Sequence, residues 1–258
     1  MPLEQPTDPA TRARRSPARV VLAALVGLVA VLVPTLAVAR TGGNFGMPDA
    51  ATEDGEQVVR VWRILLVMAT AVGAVVMILL LVAVVSGARR REASQSKGSG
   101  PLEIAYTALP LALVAAIFGV SGWLGFRMSD ATEGDSMVIE TEAFRWGWRF
   151  TYPGGAEVVT TSPAEEAVIV LPVDRVVTFE LRSADVIHSF FVPAFATKLD
   201  VIPGLVNELR VHPTEVGEYA GHCAEFCGID HARMNFRVVV VEQDRFDAWL
   251  AAGATGPP

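Results

Sequence analysis

A segment near the C-terminus carries four side chains that can ligate a metal. Residues 223–234 have the sequence CAEFCGIDHARM, so Cys223, Cys227, His231 and Met234 follow one another at spacings of four, four and three residues. One loop can therefore present two thiolates, an imidazole and a thioether to a single point. Thiolate, imidazole and a weak axial thioether are the ligands of copper sites that transfer electrons. The segment favours a copper site.

A further histidine and three competing interpretations bear on this site. His188 lies 35 residues before Cys223, and a neighbouring strand could bring it to the loop. The two cysteines could instead form a disulfide, which an extracellular location permits, or two Cys and two His could bind structural zinc. His231 and Met234 could also be packing residues. Met234 disfavours zinc, for which a thioether is a poor ligand, but spacing alone leaves the choice open.

Two other histidines are not expected to bind the metal. His222 directly precedes Cys223, and adjacent residues of a strand face opposite sides of the sheet. His212 has no metal-ligating neighbours in the sequence, and we expect it in a loop or at the surface.

The sequence around the loop is typical of a β-domain. Runs rich in Val, Thr, Phe and Trp are separated by Pro and Gly, as in short strands joined by turns. The runs are 137–152, 167–182, 206–211 and 236–242. They predict an all-β sandwich or Greek-key barrel over residues 136–258. A short helix over 244–252, with Asp244 as its N-cap, is expected to close the domain.

The first apolar run of the chain is typical of a secretory signal peptide. Residues 20–39 follow four arginines and end in the small-x-small sequence Ala37-Val38-Ala39. A basic segment, an apolar stretch and such a terminus predict a signal peptide over residues 1–39. A retained third transmembrane helix is the alternative.

Two further apolar runs, 64–85 and 104–126, predict a transmembrane hairpin within residues 40–135. Each run reaches the roughly 20 residues that a helix needs to cross a bilayer. The loop 86–103 between them contains three arginines at 89–91 and Lys97, and loops rich in Arg and Lys stay in the cytoplasm. The following domain is therefore expected on the extracytoplasmic side of the cell membrane.

The negative charge of the chain belongs to its second half. Residues 136–258 contain 17 acidic and 9 basic side chains, a net charge of −8. Proteins that bind nucleic acid present a basic surface, so this composition argues against a nucleic-acid partner. It suits a basic protein partner that arrives by electrostatic steering.

The loop CAEFCGIDHARM closely resembles the dinuclear copper A motif of cytochrome c oxidase subunit II. Other segments resemble the same family: DVIHSF at 185–190, KLDVIPG at 198–204, FRWGW at 144–148, and Glu103 seven residues before Pro110. The resemblance covers about residues 60 to 250. It implies a cupredoxin-like β-sandwich anchored by a two-helix transmembrane hairpin.

The resemblance also implies a ligand set. Cys223 and Cys227 would bridge two copper ions, His188 and His231 would each cap one ion, and Met234 would ligate weakly. Glu225 would offer its backbone carbonyl to copper and its side chain to a magnesium or manganese ion at the interface with subunit I.

Three further expectations follow from the resemblance. Trp146 would be the point where electrons arrive from cytochrome c, and Trp148, two residues on, would share its strand face and pack in the core. Glu103 would stand at the entrance of a proton path shared with subunit I. Two positions depart from many members: His222 stands where they carry glutamine, and Gly147 interrupts a fuller aromatic stretch.

The function that the resemblance implies is that of a cytochrome c oxidase, an oxidoreductase and translocase. Its complex would take electrons from cytochrome c, reduce dioxygen to water in the heme-containing subunit I and move protons across the membrane. The alternatives are the copper A subunit of a related reductase, such as nitric oxide reductase, a copper-free quinol oxidase subunit II, or a membrane-tethered metal-binding structural module.

Overall fold

The computed structural model describes residues 46–87, 98–130, 136–160 and 165–256, together with individual positions between 25 and 44. The predicted signal peptide, residues 1–39, lies almost wholly outside the described residues. Contacts divide the described chain into two units. One unit includes residues 63–87, and the other includes residues 46–62 and the described residues from 98 onward.

Between residues 46 and 130, the described part of the chain forms two long helices. Helix α1 spans Glu53–Gly87 and helix α2 spans Gly100–Asp130, and both are long and apolar enough to cross a membrane. Helix α1 begins 11 residues before the predicted run, because Glu53, Asp54 and Glu56 form its first turn rather than a loop. Acidic side chains at this end complement the positive pole of the helix dipole.

The rest of the chain forms two five-stranded sheets and a short helix. The elements are β1 Met137–Phe144, β2 Gly147–Thr151, β3 Glu157–Val159, β4 Ala167–Pro172, β5 Val177–Ser183, β6 His188–Val192, β7 Thr197–Val201, β8 Asn207–Val211, β9 Gly217–Cys223, β10 Asn235–Val241 and α3 Gln243–Ala251. The strand order is β3-β2-β1-β5-β8 in the first sheet and β4-β10-β9-β6-β7 in the second. The predicted membrane-anchored β-sandwich is confirmed.

Two of the predicted runs each contain two strands. The run 137–152 is interrupted by a turn at Arg145 and Trp146. The run 167–182 turns at Asp174, whose φ is 55°. Aspartate tolerates the left-handed region better than most residues, so the chain can turn there without glycine.

Aromatic side chains join the two sheets. Trp148 of the first sheet lies with ring centroids 5.8 Å from Phe190 and 5.2 Å from Phe236 of the second, both edge-to-face. Phe190 and Phe236 stack at 4.7 Å. These three rings are almost completely buried, and edge-to-face pairs add stabilisation beyond their buried area. These three rings fix the spacing of the two sheets beneath the loop 223–234.

The predicted N-cap of the closing helix is wrong. Helix α3 begins at Gln243, with Glu242 as its N-cap. The amide of Phe246 donates to the carbonyl of Glu242 at 3.0 Å, which closes the first turn and places Asp244 inside the helix. Phe246 and Trp249 are buried in the core, so packing of this apolar face decides where the helix starts.

The approach of β9 to β10 depends on a missing side chain. A Cβ added at Gly221 would lie 2.2 Å from Cε2 of Phe236. That ring cannot move away, because Trp148 and Phe190 pack against it.

We expect Gly221→Ala to lower the free energy of unfolding by about 1–3 kcal/mol through overpacking, measured by urea denaturation. Ala220→Val is the control, since Ala220 is exposed on the same strand; equal losses in both variants would contradict this account.

Candidate metal centre

The predicted ligand loop connects β9 and β10 and is closed at its base. The amide of Cys223, the last residue of β9, donates to the carbonyl of Met234 at 3.0 Å, and the amide of Ala224 donates to the carbonyl of Ser189 at 3.0 Å. The second bond attaches the loop to β6, which begins at His188. The fold therefore brings together residues that are 35 positions apart in the chain.

The sulfur and nitrogen atoms of five predicted ligands form a continuous chain of contacts. Cys223 Sγ lies 3.8 Å from His188 Nδ1 and 3.9 Å from Cys227 Sγ. Cys227 Sγ in turn lies 3.6 Å from His231 Nδ1 and 3.7 Å from Met234 Sδ. The two thiols are at the centre, and one imidazole stands beside each of them.

The donor set fits a metal better than it fits the other interpretations. The two cysteines are free, and their sulfur atoms are far beyond the ~2.05 Å of a disulfide. The ligand atoms of His188, Cys223 and Cys227 all lie within 4.8 Å of one another, close enough to share an ion. The thioether of Met234 completes a soft set that suits copper.

The carboxylate of Asp185 orients His188. Asp185 Oδ1 lies 2.9 Å from His188 Nε2. Partial burial opposes ionisation of Asp185, but contacts with His188 and with the amides of Val186 and Arg145 outweigh it and lower the pKa to about 2. An ionised carboxylate only accepts hydrogen bonds, so Nε2 carries the proton. Nδ1 faces Cys223 at 3.8 Å, and a ring with one nitrogen held by a carboxylate and the other directed at the site is the arrangement common to metal-ligating histidines.

The two thiols titrate differently in the metal-free protein. Burial opposes ionisation of Cys223, but contacts with His188 and the neighbouring backbone outweigh it and lower the pKa to about 7. At Cys227, burial and the negative charge of Cys223 raise the pKa to about 12. One negative charge on the pair therefore opposes a second, and a metal that binds both thiolates must displace protons from them.

Four of the five candidate ligands are shielded from solvent, whereas His231 is partly exposed. His188 is completely buried, and Met234 and both cysteines are 1–6% exposed. The indole of Trp148 lies beneath the loop and donates to the carbonyl of Met234 at 3.4 Å. Buried apolar and aromatic groups of this kind exclude water and limit the movement of the ligands.

His222 and His212 lie outside the cluster, as the sequence predicts. His222 Nδ1 contacts Asn235 Oδ1 at 3.1 Å across the β9–β10 ladder, on the side of the strand opposite Cys223. His212 follows β8, and its Nδ1 lies 2.8 Å from the Glu53 carboxylate. Glu53 lies 159 residues before His212 in the chain, so no local pattern predicts this contact.

Trp146 lies beside the metal loop, in the turn between β1 and β2. Its indole nitrogen donates to the carbonyl of Cys227 at 3.3 Å. A Cβ at Gly228 would lie 3.1 Å from the indole, and Gly228 has a φ of 126°, so only glycine suits this position. The prediction that Trp146 and Trp148 share a strand face is wrong, because β1 ends at Phe144 and Trp146 belongs to the turn.

Packing explains why Gly147 interrupts the aromatic stretch. A Cβ at this position would lie 2.9 Å from Cβ of Thr160 and 3.0 Å from the ring of Phe144. The start of β2 passes too close to these neighbours to carry a side chain.

The two predicted glutamates occupy different regions. The backbone carbonyl of Glu225 lies 3.2 Å from Cys223 Sγ, and the residue is exposed. Glu103 lies in the first turn of α2 and is also exposed.

Sequence reasoning missed how Arg145 and Asp185 act together. The Arg145 amide donates to Asp185 Oδ2 at 2.8 Å, and its Nε lies 3.3 Å from the same oxygen. One carboxylate thus links the Trp146 turn to His188. The only local signal is the spacing of three residues between Asp185 and His188, which by itself does not identify a contact.

Comparison with known proteins finds one family throughout the matched sequences. Residues 157–243 match the family model "Cytochrome C oxidase subunit II, periplasmic domain". The probable cytochrome c oxidase subunit 2 of Streptomyces coelicolor is 30% identical over 282 residues, covering 92% of this chain and 88% of that protein. The corresponding protein of Streptomyces avermitilis is 29% identical over 281 residues, with the same coverage.

Among solved structures, the periplasmic domain of subunit II of cytochrome oxidase of Bradyrhizobium japonicum is 32% identical. It superposes with a TM-score of 0.44 and covers 47% of this chain and 96% of that chain. The S. coelicolor protein matches along nearly the whole chain, at an identity that establishes common descent. The chain belongs to the cytochrome c oxidase subunit II family.

Proposed function

We propose that this chain is the electron-accepting subunit of a respiratory cytochrome c oxidase. It would receive electrons from cytochrome c at a dinuclear copper A centre and pass them to the heme-containing subunit I, where dioxygen is reduced to water and protons are translocated. The observation that carries the proposal is the cluster of two unlinked thiols, two imidazoles and a thioether, joined by contacts of 3.6–3.9 Å.

The residues around the cluster fit the ligand roles that the family implies. Cys223 and Cys227 would bridge two copper ions, His188 and His231 would cap one each, and Met234 and the Glu225 carbonyl would be weak ligands. A bound dinuclear copper centre accepts and releases one electron at a time. The chain contributes a loop whose base is hydrogen-bonded and whose interior is buried, so little of the protein has to rearrange.

Trp146 is the proposed point at which electrons arrive. Its half-buried indole reaches from the β1–β2 turn to the carbonyl of Cys227, a bridging ligand. Through Arg145 and Asp185, the same turn is hydrogen-bonded to His188. Two short paths of contacts therefore connect the turn with the cluster.

Two glutamates are proposed to act at the boundary with subunit I. The exposed side chain of Glu225 would ligate a magnesium or manganese ion there, while its carbonyl faces Cys223. Glu103, exposed in the first turn of α2, would stand at the entrance of the proton path. With α1 and α2 in the membrane, the copper domain would lie on the extracytoplasmic side.

The acids that would attract a basic donor are not the ones beside Trp146. Asp185 is neutralised locally by Arg145, at 3.3 Å. Four glutamates instead occupy one row across the first sheet, with Thr151 between the first two: Glu157, Glu140, Glu180 and Glu208. Glu180 is paired with Arg182 at 3.0 Å, so Glu140 and Glu208 on either side of it are the acids of this row that we propose attract the donor.

The metal assignment is tested with the purified full chain after copper reconstitution. We expect two copper ions per chain and a visible and electron spin resonance spectrum of one electron shared by two ions. Cys223→Ser and Cys227→Ser should each abolish this spectrum, because a hydroxyl is harder and less easily deprotonated than a thiol. His222→Gln is the control and should leave it largely intact. One zinc ion and no copper would overturn the proposal in favour of a structural module.

The role of Trp146 is tested by the kinetics of reduction. Trp146→Ala should slow reduction of the copper-loaded protein by cytochrome c by a factor on the order of 10 or more. Misplacing reacting groups by about 1 Å can already lower a rate up to ~100-fold, and this variant removes the proposed point of electron arrival. The copper spectrum should not change. Val158→Ala, a partly buried position packed against the core, is the control for general loosening. Equal rates in wild type and Trp146→Ala would exclude electron arrival through this residue.

The role of the glutamate row is tested by the salt dependence of the same reaction. Glu140→Gln combined with Glu208→Gln should lower the encounter rate at low salt and flatten its dependence on ionic strength, because screening then has less attraction to remove. Glu215→Gln combined with Glu242→Gln removes equal charge outside this sheet. If both pairs behave alike, overall charge and not the row directs the donor. If the rate of reduction does not depend on ionic strength, the electron donor is tethered rather than soluble.

A further inference from the structure

The start of helix α1 is clasped into the copper domain. We define the clasp as residues 51–55 together with Ala194, Phe195 and residues 212–214. The amide of Ala51 donates to the carbonyl of Ala194 at 2.8 Å, and the amide of Thr214 donates to the carbonyl of Ala51 at 2.9 Å. Ala51 is 1% exposed and belongs to the sandwich core, so this segment is built into the domain.

Thr52 is the centre of the clasp. It precedes the first residue of α1, and its hydroxyl oxygen accepts from the amide of Gly55 at 3.1 Å, as an N-cap does. The same hydroxyl donates to the carbonyl of Phe195 at 3.3 Å. One buried hydroxyl therefore caps the helix and joins it to the turn after β6.

Two further contacts surround Thr52. The amide of Glu53 donates to the carbonyl of His212 at 3.1 Å, and its carboxylate lies 2.8 Å from His212 Nδ1. The first turn of α1 is thus held through both backbone and side chain by the segment that follows β8.

Gly55 indicates that the close approach matters. Glycine in a helix is less favourable than alanine by roughly 1 kcal/mol. Here, however, a Cβ would lie 2.8 Å from Thr52 Oγ1 and 3.1 Å from the carbonyl oxygen of Phe195. The clasp, and not the helix, explains this residue.

The clasp and the metal loop lie at opposite ends of the same strands. Strand β6 begins at the ligand His188, and Ala194 and Phe195 follow its other end. Strand β9 runs from Gly217, next to the clasp, to Cys223, a distance of about 20 Å for seven extended residues. The Thr52 hydroxyl does not contact the ligand loop. It can change the position of that loop only by changing the position of the domain as a whole.

We propose that Thr52 is a positioning residue for electron transfer out of the copper domain. By clasping the domain to the helix that anchors it, Thr52 holds the ligand loop at the height and orientation at which one electron leaves the reduced centre and one acceptor in the heme-containing subunit takes it. The inference rests on the proposed function, because it presupposes a copper centre and a membrane partner.

The first measurement needs no metal and concerns the clasp itself. In the full chain, hydrogen exchange is followed at the amides of Ala51, Glu53, Gly55 and Thr214. Thr52→Val keeps the shape but removes the hydroxyl and should accelerate exchange about fivefold, the factor expected for the loss of one capping hydrogen bond. Thr52→Ser retains the hydroxyl and should exchange like wild type. Unchanged exchange in Thr52→Val would show that the hydroxyl does not hold the clasp.

The second measurement uses the assembled oxidase. After rapid photoreduction, Thr52→Val should slow electron transfer from the copper domain to the partner subunit by a factor on the order of 10. The copper spectrum and the rate of reduction by cytochrome c should stay at wild-type values, and Thr52→Ser should restore the rate. A purely structural role would alter exchange alone, and faster exchange with a wild-type transfer rate would overturn the proposal.

Two further variants keep the test decisive if Thr52→Val does not assemble. Glu53→Gln weakens only the contact with His212 and should slow transfer less than Thr52→Val does. Glu56→Gln is its control, because Glu56 is exposed in the same turn of the helix and contacts Thr52 through its backbone amide, which the substitution leaves in place. Equal transfer rates in these two variants would count against the proposal. If the wild-type complex transfers no electrons from copper to heme, the proposed function fails instead.

Discussion

The hydrogen bond between the amide of Cys223 and the carbonyl of Met234 is the constraint on which the centre depends. It closes a loop whose two ends continue into paired strands, with His222 opposite Asn235. Because β9 and β10 belong to one sheet, the ends of the loop cannot separate without breaking the ladder. The closed loop places the two sulfur atoms 3.9 Å apart, and the indole of Trp146 holds the carbonyl of Cys227 from the side. Gly221 makes this pairing possible, since a side chain there would displace Phe236.

Both sheets contribute residues to the candidate metal centre. The second sheet carries the ligands, whereas the first contributes Trp148 beneath the loop and Trp146 beside it. Asp185 connects the two groups, because its carboxylate contacts both the Trp146 turn and His188. The proposed copper centre would benefit from such fixed dipoles, since they would not have to reorganise at each transfer.

The clasp fixes the start of helix α1 to the β-domain, as the closed loop fixes the candidate ligands. A domain joined to its helices only by a flexible linker would sample many orientations, and each would place the ligand loop differently. Ala51 and Thr52 are buried as deeply as the sandwich core, so the start of α1 behaves as part of the domain.

The sequence by itself predicted the loop of candidate ligands, the two apolar helices and the sandwich. These features depend on local spacing, length and alternation, which can be read without knowledge of the fold: four candidate ligands lie within 12 residues, and the two helices show in hydropathy. Only the tertiary structure decided the contact of His188 with Cys223, the position of Trp146 against Cys227, the N-cap at Glu242 and the clasp at Thr52. Each of these is set by contacts between residues distant in the chain, or by burial of a neighbouring apolar face. Thr52 and Phe195 are 143 residues apart, and no local pattern encodes a hydrogen bond across such a separation.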